Sequence, residues 1–561
     1  MLAGAFHVTE RESQYARSVI QLPSVASGME NGIRPLDWLI IGLYSLALIG
    51  IALYHSRKMR GQDDIFLAGR SMSRWPIAIS MYMALFSTNS FLGVTGWVNR
   101  PDGTIWIGLQ NIGIILAVPF IVWLYPTLFF RLRITSAYEY LDLRFNHAVR
   151  NAATTFFLGA RLMWMSTILY SASLVVSMIL GWTSEQGVPN GQLWAVVIIG
   201  ALGTAFALIG GMRAVIWTDV MQFGVLMSGL TCMVVLGVRL SGGAGNVIRI
   251  GREFGRFTAP HAFSLTDDLS ITGGLLLGFA GMLSSAGADQ VVLQQYLTAR
   301  SDREAKASLW RNGFLLKPLS LIYPVLGLIM FAYYRTHTDV ARLMRVADDA
   351  LPVFVVSVLP QGARGLMTMA LTASVLTSVQ SGLAAVSAAI QVNFVNPNLK
   401  HGLNDSESVL LARCLLFLNG LAITYGAYWI YTLGRHNSII QILNMVMYPF
   451  AGVLLGIFLL GLLSDRANGP GVLIGGILGF LGTIALPAGR FLFPGSASFQ
   501  YLARISTFYY GTFGAVLTFA AGYLASYCFA PPASAKINGL TRRSLPQEFD
   551  RAYVLHDGTM N

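Results

Sequence analysis

The stretch ALTASVLTSVQSGLAAVSAAI, residues 370–390, carries Ser374, Thr377, Ser378 and Ser381 in an otherwise apolar run. Their spacing of i, i+3, i+4 and i+7 puts four hydroxyls on one face of a helix. No Asp, Glu, Lys or Arg occurs from 365 to 399, so the stripe is expected to lie within a bilayer. Hydroxyl oxygens gathered at membrane depth, with no fixed charge among them, suit a small hard cation such as sodium. The competing reading is hydroxyls that donate to the backbone carbonyl one turn back, as Ser and Thr commonly do in membrane helices.

Working outward, charged residues make up 11% of the 561, against roughly 25% in soluble domains. That balance excludes an ordinary soluble enzyme and points to an all-α polytopic membrane protein. Thirteen stretches are long and apolar enough to cross, a span needing ~20 residues. They lie near 35–55, 75–98, 104–130, 151–183, 189–212, 214–238, 269–288, 312–334, 363–395, 408–434, 438–464, 467–489 and 507–530. Residues 1–34 form an extracytoplasmic tail without the apolar core of a cleavable signal. Residues 531–561 form a partly disordered cytoplasmic end. With the N-terminus outside and the C-terminus inside, 21 of the 38 Lys and Arg residues face the cytoplasm and 15 face outward. This bias orients the chain in the cell (inner) membrane. The net charge of +12 then serves loops near anionic lipid and calls for no nucleic acid partner.

The three cysteines, Cys232, Cys414 and Cys528, show no metal spacing, and all eight histidines lie in loops or at span ends. Haem and intramembrane metalloenzyme chemistry are disfavoured, because their ligands sit at depth. Residues 351–362 are read as a hairpin packed on the bundle.

Two spans have unusual backbone chemistry. The 75–98 span contains Ser87, Thr88, Asn89 and Ser90 in succession, then Gly93 and Gly96. The 269–288 span carries Gly273, Gly274, Gly278 and Gly281, then Ser284, Ser285 and Gly287. They stand five spans apart, at matching places in two five-span halves, about 75–241 and 269–465. Paired interrupted helices of this kind point to an inverted-repeat transporter. The alternative is a pair of glycine-rich packing faces.

Five segments in order resemble the sodium/solute symporter family, whose fold is LeuT-type: a 5+5 inverted repeat with peripheral helices. They are ITSAYEYLDLRF (134–145), ALIGGMRAVIWTDVMQ (207–222), DQVVLQQYLTARSDREAKASL (289–309), PQGARGLMTMALTASVLTSVQS (360–381) and SDRANGPGVLIGGILG (464–479). The last two lean toward the branch carrying organic anions, vitamins and iodide.

The resemblance implies a sodium site made of the carbonyls of Met83 and Phe86 with Ser374, Thr377 and Ser378. It implies a candidate second sodium site at Asp219 and Ser381. Gln380 departs there from the serine of some members, and the alternative role for Asp219 is a helix-end pair with Arg213. On the substrate side it implies Gln441, with Ser87, Asn89, Ser90 and Ser284 lining the same cavity. Aromatics typical of sugar carriers are absent around Ser284, which disfavours a hexose.

A charge at the centre of a span costs about 2.5–3.5 kcal/mol on insertion scales, so Arg161 in FLGARLMWM is a functional candidate. Its planar fork suits a carboxylate, and in sialic-acid-transporting relatives an arginine at the similar place holds one. Snorkelling, or a pair with Asp219, is the structural alternative. Lys317 is expected to snorkel.

The sequence therefore reads as a secondary active transporter, coupling sodium to a small polar solute, with an organic acid favoured. It needs no cofactor and no metal beyond sodium. A proton-coupled symporter of the same fold and a transporter-like sensor module are the rivals; a membrane enzyme is disfavoured.

Overall fold

The computed structural model describes residues 35–56, 68–85, 88–132, 134, 136–182, 188–209, 212–396, 404–432, 439–492 and 496–544. Regular structure there is helical, apart from one isolated bridge between Met72 and Ala299. In chain order the main helices are α1 (Pro35–Ser56), α2 (Arg74–Leu85), α3 (Thr88–Asn99), α4 (Leu109–Leu124), α5 (Ala137–Arg144), α6 (His147–Ile179), α7 (Gly191–Ile209) and α8 (Met212–Leu240). They continue with α9 (Ala244–Glu253), α10 (Ile271–Gly287), α11 (Gln290–Leu297), α12 (Asp302–Arg311), α13 (Ile322–Thr336), α14 (Ala350–Val358) and α15 (Ala363–Ile390). The last are α16 (Asp405–Thr432), α17 (Ile439–Leu463), α18 (Gly469–Leu492) and α19 (Tyr510–Ala525).

Among the described residues nine helices are long and apolar enough to span, or ten if the bent pair α10–α11 is one span. Three of the thirteen expected stretches fall short of that length test. They are the apolar run Pro35–Ile51 of α1, the 75–98 stretch, of which α2 and α3 are the described parts, and α19. Exposed Leu, Trp and Phe side chains cover α1, α4, α7, α16 and α18, as a lipid-facing surface requires.

The 269–288 span is interrupted as expected, but only at its end, and its earlier glycines form a packing face. α10 runs unbroken through Gly273, Gly274, Gly278 and Gly281, and the chain bends by 58° only after Gly287. A Cβ at Gly278 would lie 1.8 Å from the Gln110 carbonyl oxygen, and one at Gly113 would lie 2.1 Å from that of Leu275. α4 and α10 thus meet backbone to backbone, the close approach small residues allow in membranes.

The bend itself is held by side chains that satisfy its freed backbone groups and by a bond that ties it to α5. Asp289 caps α11 by accepting from the Val291 N–H at 2.9 Å. The Tyr138 hydroxyl donates to the Ala288 carbonyl at 2.8 Å, and the Ala137 N–H donates to the Gln290 side chain at 2.9 Å. α5, the short helix after the third span, is therefore the splint of this bend. It begins with a capping box of Ser136 and Glu139.

Other expectations are corrected. Residues 350–358 form a buried helix, α14, rather than a hairpin. Residues 531–544 of the expected disordered end pack on the bundle. The Tyr140 hydroxyl donates to the Leu540 carbonyl, the Lys536 Nζ to the Asp142 carbonyl, and the Arg542 N–H to the Leu462 carbonyl. Residues 1–34 and 545–561 lie outside the described residues.

Gly278→Leu should force α4 and α10 apart and cost about 1–3 kcal/mol or more, read as a lower melting temperature and less folded protein in membranes. Gly42→Leu, at a position where a Cβ would have nothing within 4 Å, should leave both unchanged.

Candidate functional site

The stripe on α15 is buried throughout, with Ser374, Thr377, Ser378 and Ser381 each exposed by 7% or less. α15 itself is packed among α1, α2, α6, α7, α8, α11 and α16. The four hydroxyls divide by partner. Ser374 donates to the Leu371 carbonyl at 2.8 Å and Ser381 to the Ser378 carbonyl at 3.2 Å. Thr377 reaches across to α8, donating to the Gln222 Oε1 at 3.2 Å, with the carbonyls of Ser374 and Ala373 as alternatives at 3.2 and 3.3 Å. The Ser378 Oγ is buried and has no hydrogen-bond partner. A hydroxyl that gives its proton to a carbonyl keeps its lone pairs for a cation, so both kinds remain usable as ligands.

Asp219, on α8 and 2% exposed, sits beside Thr377. Its partner is not Arg213, which turns away to the Ala68 carbonyl and the Ser71 hydroxyl. It accepts instead from the Ser80 Oγ of α2 at 2.5 Å. Ser80 in turn accepts from the Gln295 Nε2 of α11 at 3.2 Å. Four helices, α2, α8, α11 and α15, thus meet through one polar network in an apolar bundle.

Ser80, Gln222 and Gln295 were not among the expected site residues. Gln222 stands one turn from Asp219 and Ser80 one turn from Met83, so helical spacing was the available signal. Two atoms of this network, the Gln222 Nε2 and the Gln295 Oε1, are buried without partners. Beside it lies a cavity of about 10 Å³ lined by Leu48, Phe206, Thr218, Gln222, Thr377 and Gln380, room for one water-sized sphere.

Met83, the first expected carbonyl ligand, is buried in α2. Phe86 and Ser87, between α2 and α3, lie outside the described residues, as does the side chain of Asn89. The chain is helical on either side, ending at Leu85 and resuming at Thr88. Ser90 is half-buried on the first turn of α3.

Arg161 pairs with neither Asp219 nor the interface. It is 4% exposed, and its Nη1 donates to the Asp289 Oδ2 at 3.2 Å. The guanidinium carbon lies 4.0 Å from the Trp164 ring centroid, a cation–π contact. Its Nε and Nη2 are buried with no hydrogen-bond partner. Gly382 leaves room for it, since a Cβ there would come within 3.2 Å of the Nε.

Lys317 does not snorkel. It is 5% exposed, with its Nζ 5.2 Å from the Tyr82 ring centroid. Its segment changes from α-helix to π- and 3₁₀-helix at Asn312–Leu321, which rotates the side chain into the bundle.

The expected solute-lining residues are not all together. The Ser284 hydroxyl donates to the Ala451 carbonyl at 2.9 Å. Gln441 is ten residues before Ala451, about 15 Å of helix rise away. Its Nε2 donates to the Asp268 Oδ2 at 3.3 Å, and Arg100 pairs with the same oxygen at 3.1 Å. Their shared acceptor Asp268 lines a cavity of about 220 Å³, together with Trp97, Asp102, Thr104 and Asp267 among others. The turn beside it is tied by Arg256, which donates to the carbonyls of Val98, Arg100, Pro101 and Gly103. Burial pushes the Arg256 guanidinium down to about 10.

A bundle of apolar spans, one sharply bent, enclosing a stripe of hydroxyls and a buried arginine with two unpartnered nitrogens has the architecture of an ion-coupled membrane transporter. The profile of the sodium:solute symporter family matches residues 65–479, and the chain belongs to that family. It is similar to the sodium/sialic acid symporter SiaT of Proteus mirabilis (strain HI4320), 25% identical over 88% of this chain and 96% of that one. It is 28% identical to the human sodium/iodide cotransporter over 83% of this chain and 72% of that one. To the rabbit (Oryctolagus cuniculus) sodium-dependent multivitamin transporter it is 28% identical, over 80% and 69%. A Na+-coupled sialic acid symporter, solved in a substrate-bound outward-open state, shares the fold with a TM-score of 0.76, at 23% identity over 88% and 98%. The protein is a multi-pass membrane transporter and not an enzyme, and it couples sodium to the symport of a small organic solute.

Proposed function

We propose that the solute is an organic acid whose carboxylate is held by Arg161, and that sodium binds between the second span, near the end of α2, and α15. The observation that carries the solute reading is the pair of unpartnered guanidinium nitrogens on a buried arginine. An unsatisfied buried donor is costly, and a carboxylate oxygen pair is the complement of an Arg fork. Ser87, Asn89, Ser90 and Ser284 line the solute path, and Gln441 meets the solute nearer the 220 Å³ cavity. The sialic acid and multivitamin carriers among its relatives, together with a sodium-coupled monocarboxylate transporter, support a carboxylate substrate.

The first sodium is assigned to the carbonyls of Met83 and Phe86 with Ser374, Thr377 and Ser378. The partnerless Ser378 hydroxyl supports this assignment. A second is assigned to Asp219 and Ser381, with Ser80 and Gln222 as neighbouring groups that fix its geometry. The paired halves are about 75–241 and 269–465, flanked by peripheral spans. The chain lies N-out and C-in in the cell (inner) membrane.

Thr377→Ala with Ser378→Ala removes two ligand oxygens and should abolish sodium-driven uptake into proteoliposomes while the protein stays folded. Sodium dependence equal to the parent's would remove the first site from this helix. Arg161→Lys keeps the charge and loses the fork, so the half-saturation constant for a carboxylate solute should rise by about tenfold or more. Parental affinity in that variant would leave Arg161 to its pair with Asp289 and remove the case for an acid. The solute for this assay comes from a thermal-shift screen of organic acids, sugars and amino acids with and without sodium.

A further inference from the structure

Asp37 is a carboxylate in the first turn of α1, and it is fully buried. Its Oδ1 accepts from two backbone amides of another span, the Gly362 N–H at 2.7 Å and the Gly365 N–H at 2.8 Å. Those amides open α15, whose N-terminal donors have no partners within their own helix. The residue in the N-cap place of α15 is Gly362, at φ +83°, which brings no side-chain acceptor of its own. The cap is therefore supplied by a different helix, more than 300 residues away in sequence.

The two helices also touch through their backbones. A Cβ on Gly365 would lie 2.6 Å from the Asp37 Cα, so only glycine permits this approach. Tyr44 and Leu48 follow Asp37 at i+7 and i+11, on the same face of α1. Both pack with Ala373 of α15. The Tyr44 hydroxyl is buried without a partner near Asp219, and Leu48 lines the small cavity shared by Thr377 and Gln222. α1 thus registers α15 at its N-terminus and again at the turn carrying the hydroxyl stripe.

We infer that Asp37 is a positioning residue for sodium binding: by capping α15 from α1 it sets the axial position of Ser374, Thr377 and Ser378. The inference rests on the sodium site proposed above. A helix is stiff along its axis, so a shift at Gly362–Gly365 reaches Thr377, about 21 Å of rise further on, almost undiminished. A carboxylate at a helix N-terminus also favours the orientation of the helix dipole. In a bilayer no water can replace either hydrogen bond.

The test uses the full-length protein reconstituted in liposomes. Asp37→Asn keeps an acceptor oxygen for both amides; Asp37→Ala removes it; Gly365→Ala pushes the helices apart without touching any ligand. Asp37→Ala and Gly365→Ala should raise the sodium half-saturation constant by about fivefold or more, and weaken sodium's stabilisation of the purified protein against heat. The solute constant at saturating sodium should stay at the parent's value, and Asp37→Asn should stay within about twofold of the parent for sodium. A folded Asp37→Ala or Gly365→Ala protein with the parent's sodium constant overturns the inference. So does a loss of melting temperature unaccompanied by any change in sodium dependence. If Asp37→Ala does not fold, Gly365→Ala decides alone. Sodium dependence surviving in the Thr377 and Ser378 double variant is a separate result, which rejects the site and not the brace.

Discussion

A helix cannot stop inside hydrocarbon unless its last carbonyls and the next first amides find partners within the protein. At 287–290 those partners come from α5 and from Asp289 itself, so the bend and the Ala137–Arg144 helix are one construction. Asp289 then has a second oxygen to spare, and Arg161 takes it. The same constraint places the hydroxyls of α15. Each must donate to a carbonyl, reach a neighbouring helix, or await a ligand, and the stripe on α15 contains all three cases.

Much of this was legible from residue patterns. Span 363–395 agrees with the helix at both ends, and 438–464 and 408–434 agree within two residues, because long uncharged runs bounded by charge leave little choice. The hydroxyl stripe was legible because helical periodicity states which residues share a face. What faces that stripe was not legible. Gln222 on Thr377, Ser80 on Asp219 and Asp289 on Arg161 are contacts across more than a hundred residues, and periodicity carries no such information. The glycines of α10 were legible in part for a related reason: Gly287 does stand at the bend, but glycine marks both breaks and close packing, and only the position of α4 shows that Gly274 and Gly278 serve packing. Lys317 was misplaced because a π-helical turn alters the helical phase on which the snorkelling expectation rests.

The arrangement gives a direct physical route for coupling. α15 borders α6, which carries Arg161, and α8, which carries Asp219. Ser80 on α2 links Asp219 to Gln295 on α11, the helix capped by Asp289. A cation bound at the proposed site between α2 and α15 would act on helices that adjoin those carrying Arg161 and Asp289. The energy available is set outside the protein. One inward positive charge contributes about 2.3 kcal/mol per 100 mV, roughly fifty-fold accumulation of a neutral solute.

Linkage supplies the most direct test of the central claim that sodium and solute binding are one coupled event. Solute binding to the purified protein is measured calorimetrically in sodium and in choline, and sodium binding is measured with and without solute. The account predicts that sodium tightens solute binding by about tenfold or more, and that solute tightens sodium binding by the same factor. Equal solute affinity in sodium and in choline would contradict it.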